Sequence, residues 1–100
     1  MATLKIIIDT RTIKNDSSSP VYLRLIHHRK TINIKIGLYI NAMHWNKKLQ
    51  NVKHSHPNSK RWNITLTDKR LKAEKVLLDV ENDINNISAD GLRDLIVEAL

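Results

Sequence analysis

The chain reads as an α+β domain: a three-stranded antiparallel sheet packed on one face by a long C-terminal helix, followed by a short terminal helix. Three observations predict this. Apolar residues recur at every second position in residues 4–8, 21–25 and 32–36. From about residue 58 the apolar spacing lengthens to that of a helix. One apolar sheet face and one amphipathic helix bury each other, because neither can be left in water. At 100 residues the chain is one domain long, with enough material for a modest core.

Residues 4–9 form the first expected strand, with Leu4, Ile6 and Ile8 on one face. Residues 14–20 are polar and rich in turn formers, and read as a mobile loop. A hairpin follows. Centring its turn between His28 and Arg29 puts Leu25 opposite Ile32, Leu23 opposite Ile34 and Val21 opposite Ile36. The other face then pairs Ile26 with Thr31, Arg24 with Asn33 and Tyr22 with Lys35. A slip of one residue would mix isoleucine with arginine on both faces, so the pattern selects this register. His28-Arg29 is poor chemistry for a two-residue type I′ turn, which favours a longer loop with the same centre.

Gly37 is expected to end the third strand, and Asn41 to cap a short turn over residues 42–45. Residues 47–58 are basic and aperiodic, and read as loop. Trp62, Leu66, Ala73, Val76, Leu77, Val80, Ile84 and Ile87 then lie on one helical stripe, with Pro57 and Ser59 as start signals. The β-branched run at residues 64–67 leaves a second start at Thr67-Asp68 as the alternative to one long helix. Ser88 caps a final helix, Ala89–Ala99, with Leu92, Leu95 and Ile96 apolar.

The formal net charge is +7, and it is unevenly spread. Residues 1–67 hold twelve Lys/Arg against two Asp/Glu, a net of +10, whereas residues 68–100 hold five against eight, a net of −3. A basic sheet region joined to an acidic helical one points to a polyanionic partner met on one side. There is no cysteine, which removes disulfides and thiolate metal sites and fits a reducing cytoplasm. The longest apolar run near the N-terminus is three isoleucines, too short for a signal segment or a membrane span, so a soluble protein is expected.

Several chemistries are excluded. No paired carboxylates, Ser-His-Asp set or Gly-rich phosphate loop occurs, and the chain has only two glycines. Tyr22 and Tyr39 lack the arginine, histidine and lysine company of a tyrosine nucleophile, so no catalytic residue is expected. His27-His28 and His54-Ser55-His56 fall in expected turns without carboxylates at ligand spacing, so neither a metal nor a cofactor is expected. Trp45 and Trp62 are read as packing residues rather than base-stacking platforms. No small-molecule substrate is implied.

With the helix on the apolar face, the other face offers Lys5, Tyr22, Arg24, Asn33 and Lys35. A narrow β-ribbon fits the major groove of B-DNA, where Arg24 and Lys35 can donate to guanine, Asn33 can pair with adenine, and Tyr22 can touch a thymine methyl. Those four are the expected base-reading residues. Lys5, Arg29, Lys30, Lys47, Lys48, Lys53, Lys60 and Arg61 are the expected phosphate contacts, which position without specifying. Two rival readings are a double-stranded RNA-binding module and a protein-interaction domain docking through acidic residues 68–87 or the final helix.

The run PVYLR (residues 20–24), a basic turn, IKIGLYI (34–40) and NAMHWN (41–46) resembles the N-terminal arm DNA-binding domain of tyrosine recombinases. The likeness is greatest to integrases of phages and conjugative transposons in Bacteroides-type bacteria. It continues through HSHPNSK (54–60), LKAEKVLLDVE (71–81) and SADGLRDLI (88–96). The resemblance implies a sheet inserted in the major groove of arm-type sites, in the service of DNA integration and recombination by a mobile element. It implies an arm domain over residues 1–87, and a helical segment over 88–100 leading toward a downstream domain. In such relatives the catalytic tyrosine lies further along the chain, in a separate domain. Other recombinase protomers are then further partners, and the bacterial cytoplasm and nucleoid the expected location. Relatives often carry Asn-Gly where this chain has His28-Arg29.

Overall fold

The computed structural model describes residues 2–100. Strands β1 (Thr3–Ile8), β2 (Ser18–His27) and β3 (Lys30–Asn41) form one antiparallel sheet in the order β1-β2-β3. A 3-10 turn (Ala42–His44) leads to a small hairpin of β4 (Trp45–Asn46) and β5 (Asn51–Val52). Helix α1 (Ser59–Asp79), a second 3-10 turn (Ile84–Asn86) and helix α2 (Ala89–Ala99) complete the chain. No helix among the described residues is long and apolar enough to cross a membrane.

The expected hairpin register is present from Tyr22↔Lys35 through Leu25↔Ile32 to His27↔Lys30. Two details differ. The turn is the two-residue one, with His28 and Arg29 both at positive φ, 50° and 64°. Tertiary contacts hold it: His28 stacks on His27 at 3.9 Å, and His28 Nε2 lies 3.2 Å from the Asn85 carbonyl. His27 itself is no turn residue. It ends β2, is fully buried, and its Nε2 sits 3.1 and 2.9 Å from the Ile84 and Ile87 carbonyls.

The second difference is at Gly37, which does not end β3. The pairing jumps from Tyr22↔Lys35 to Val21↔Leu38, so Val21 faces Leu38 and not Ile36. Gly37 at φ +86° supplies the left-handed backbone that such a bulge requires. Because two residues are inserted, the alternation survives, and Leu38 and Ile40 stay buried on the core face. β2 also begins earlier than expected. Ser18 N and Oγ both donate to Asp16 Oδ1, which ties the end of the β1–β2 loop into the sheet.

Helix α1 is a single 21-residue helix. Thr65 Oγ1 donates back to the Arg61 carbonyl at 3.3 Å, so the β-branched stretch is absorbed without a break. The helix ends at Asp79, and the rest of the apolar stripe (Val80, Ile84, Ile87) reaches the core from the turns that follow. Residues 47–58 are not all loop, since β5 lies within them. Asn63 Oδ1 accepts from Val52 N at 2.8 Å and Asn63 Nδ2 donates to Val52 O at 3.0 Å, clamping α1 to β5.

The covered sheet face carries Ile6, Val21, Leu23, Leu25, Ile34, Leu38 and Ile40, all buried. Both helices cover it: α2 rests on β2 and β3, and α1 on β1, β5 and α2. Leu92 and Ile96 of α2 are fully buried, so this helix shares the same core. Ser88 Oγ accepts from Gly91 N, and Asn41 Oδ1 from Met43 N, the two caps expected from the sequence. Trp45 is buried, and Trp62 packs against the core.

Candidate nucleic-acid interface

Strand register turns the uncovered sheet face into a grid of three rows. Ile7, Tyr22 and Lys35 form one row, Lys5, Arg24 and Asn33 the next, and Thr3, Ile26 and Thr31 the third. Strands lie about 4.8 Å apart, so the grid is about 10 Å across. The B-DNA major groove is about 12 Å wide. None of the residues in β1, β2 or β3 is Asp or Glu, so the grid is free of acid. An edge-to-edge row of lysine, arginine and asparagine is a set of hydrogen-bond donors with one carbonyl acceptor.

The central row is ordered internally. Arg24 Nε donates to Asn33 Oδ1 at 3.1 Å. This bond uses the Asn33 amide oxygen and leaves the Asn33 Nδ2 and the Arg24 Nη groups to other acceptors. Arg24 and Tyr22 are half-buried, whereas Lys5, Asn33 and Lys35 are exposed. The four expected base-reading residues therefore share one face, in two adjacent rows.

Beside the grid lies a cleft bounded by the start of the β1–β2 loop and the β4–β5 turn. Lys5, Arg11, Arg24 and Lys47 line it, with Ile7, Asp9 and Trp45. Asp9 is its only carboxylate. The Arg11 guanidinium, 3.1 Å away, and the Arg11 backbone N–H hold the Asp9 carboxyl below the usual range, helped by the charge of Arg24. Asp9 is thus ionised and already partnered, and the cleft keeps an excess of positive charge. Arg11 has no place in the strand alternation. Its only mark in the sequence is the Asp-x-Arg spacing that lets the two side chains meet.

The expected phosphate contacts fall into three groups. Lys5 sits on the grid itself, opposite Arg24. Arg29 is exposed at the hairpin tip, Lys47 and Lys48 in the β4–β5 turn, and Lys53 just after β5, while Lys60 and Arg61 occupy the first turn of α1. Lys30 stands apart, because its Nζ reaches Asp90 at 2.8 Å and its charge is met within the fold. Gln50 is a further polar residue of consequence. Its Oε1 accepts from Ile6 N at 2.9 Å on the free edge of β1, and from Arg70 Nη1 at 3.4 Å. The β4–β5 turn, and Lys47 with it, is thereby fixed against the sheet.

The described residues contain no group of three or more His, Cys, Asp or Glu arranged to hold a metal. His44 and His56 meet edge to face, and His44 Nδ1 lies 2.9 Å from Ser55 Oγ, an arrangement of packing and hydrogen bonding.

Neither the curated proteins nor the solved structures contain a match to this chain. The profile of the arm DNA-binding domain family does match it, over residues 6–93. That span takes in nearly the whole sheet, the cleft and most of the helical layer, and the chain belongs to the arm DNA-binding domain family.

Proposed function

We propose that the domain binds double-stranded DNA sequence-specifically, with the β1-β2-β3 sheet in the major groove, as the arm-site recognition module of a tyrosine recombinase or integrase. The observation that carries this reading is the acid-free grid on the uncovered face, about the width of the groove. Arg24, Asn33, Lys35 and Tyr22 read base edges. Lys5, Arg29, Lys47, Lys48, Lys53, Lys60 and Arg61 lie against phosphates and set the register. An arm DNA-binding domain is non-catalytic, and strand exchange belongs to the catalytic domain of the recombinase. This module tethers that enzyme at sites away from the exchange core.

Titrating a duplex library at several salt concentrations tests the proposal. Neutralising about six to eight phosphates gives a slope of log affinity against log salt of roughly −5 to −7, with selection of one motif. Absence of duplex binding at low salt, or binding that ignores salt, overturns it. An RNA duplex of equal length should compete poorly, since a ribbon of this width has no entry to the narrow A-form major groove.

A further inference from the structure

Helix α1 carries an apolar stripe that the described residues leave uncovered. Ile64, Leu71 and Leu78 are 63 %, 60 % and 65 % exposed. They are spaced by seven residues, so they line one seam along nearly the full helix, about 20 Å from first to last. A shallow groove runs beside the seam, walled by Asn63, Thr67 and Asp68 together with Ile64 and Leu71. None of these residues belongs to the sheet grid.

The charges flanking the seam say what covers it. At 100° per residue, Arg61, Asp68, Lys75 and Asp79 project along the same side of Ile64, Leu71 and Leu78, with signs plus, minus, plus, minus. Lys72 lies further round on that side, and its Nζ meets Asp68 at 3.1 Å within the helix. Two copies of α1 packed antiparallel about a two-fold axis at Leu71 bring Ile64 of each against Leu78 of the other. The same axis brings Asp68 against Lys75, and Arg61 against Asp79, in both directions. A parallel arrangement would instead set this flank against the partner's opposite flank, with Arg61 beside Lys60, and would form neither the Asp68–Lys75 nor the Arg61–Asp79 pair. The stripe therefore complements itself in the antiparallel orientation, where the same patch of each copy meets the other across the two-fold.

We infer that the domain self-associates through an antiparallel α1–α1 contact centred on Leu71, forming a two-fold dimer whose two sheet grids both remain free. The interface is one helix wide, so it forms weakly in free solution and strengthens where two domains are held close. Arg61 is then shared between this contact and the phosphate role, whereas Leu71 belongs to this contact alone.

Sedimentation equilibrium of the full chain, without DNA, tests this directly from about 10 μM to 1 mM, the range where a weak dimer appears. Association is expected for the native chain. Leu71→Glu should weaken it at least tenfold, with an unchanged circular dichroism spectrum. Asp68→Lys alone should also weaken it, and adding Lys75→Asp should restore it, because both pairs are then reversed together. A native chain that stays monomeric to 1 mM overturns the inference. So does a Leu71→Glu chain that associates as well as the native one, or a double variant no better than Asp68→Lys. DNA plays no part in the measurement, so its result is independent of the DNA-binding proposal.

Discussion

Arg24 and Asn33 face each other across β2 and β3, and the guanidinium Nε donates to the amide oxygen at 3.1 Å. Two residues able to read opposite bases are thus fixed relative to each other before any partner arrives. Pre-organisation of this kind lowers the entropy lost on binding. Lysine keeps the charge at position 24 but has no fork, so it cannot hold Asn33 and present a bidentate face at once. Arg24→Lys is therefore expected to lose about 1–3 kcal/mol of discrimination at one base pair, with the salt slope almost unchanged. Competition between the selected motif and its single-base variants measures this. An equal loss on every sequence would make Arg24 a phosphate contact.

Lys47 should behave in the opposite way. It lines the cleft with Lys5 and Arg11, and the Gln50 bond to β1 fixes its turn. Lys47→Ala is expected to weaken binding evenly across sequences and to flatten the salt slope by about one. Arg11→Ala tests whether Asp9 then becomes a liability, because the freed carboxylate would face the phosphate backbone. Affinity should fall further than for Lys47→Ala, and Asp9→Asn combined with Arg11→Ala should recover part of the loss.

Gln50 joins three elements through one side-chain oxygen. Ile6 is 3 % exposed, so its edge-strand N–H has little water to turn to. Gln50→Ala should cost about 1–3 kcal/mol in urea unfolding, the usual penalty for leaving such a donor unpaired. Gln50→Glu keeps an acceptor for Ile6 N and gains charge attraction to Arg70, so its stability should stay close to that of the native chain. Equal losses in both variants would mean that the side-chain oxygen is not what matters.

What the sequence made readable was whatever repeats or caps locally. The hairpin register was legible because a one-residue slip would put Arg24 among isoleucines, and the caps at Asn41 and Ser88 because capping needs only nearby amides. The turn at His28-Arg29 was not legible. Its left-handed backbone is braced by the stack on His27 and by Asn85 and Asp90, the last two more than fifty residues away. Gln50 and Asn63 were hidden for the same reason, since a polar residue gives no sign of which distant backbone amide it will meet. The base-reading grid came from alternation alone. The cleft did not, because its walls come from a loop and a turn outside the alternating strands.

The strained turn yields a prediction that separates stability from binding. A non-glycine residue in the left-handed region costs about 1–2 kcal/mol, and part of that returns on substitution by glycine, less the extra entropy of the unfolded chain. Arg29→Gly should therefore stabilise the fold by about 0.5–1 kcal/mol. His28→Gly should gain less, because it gives up the stack on His27 and the contact with Asn85. If Arg29 touches a phosphate, the same Arg29→Gly chain binds DNA more weakly while melting at a higher temperature. Thermal melts and duplex titrations on one preparation decide both points.

Asp90 links the first turn of α2 to the hairpin, and the Lys30 ammonium is the main reason its carboxyl sits below the usual range. Arg93 adds to the effect. A carboxyl that is harder to protonate in the folded chain than in the unfolded one stabilises the fold at neutral pH. That contribution is complete above the ordinary carboxylate value, near pH 4, and is lost as pH falls through the lower folded value. Asp90→Asn should therefore melt below the native chain at neutral pH, and the gap should close progressively from about pH 4 downward. Both partners are about half exposed, so added salt should narrow the gap at neutral pH as well. Asp9 and Asp16 are shifted in the same direction in both chains and cancel in the difference. A gap constant with pH would show that the substitution acts on the α2 terminus and not through the ion pair with Lys30.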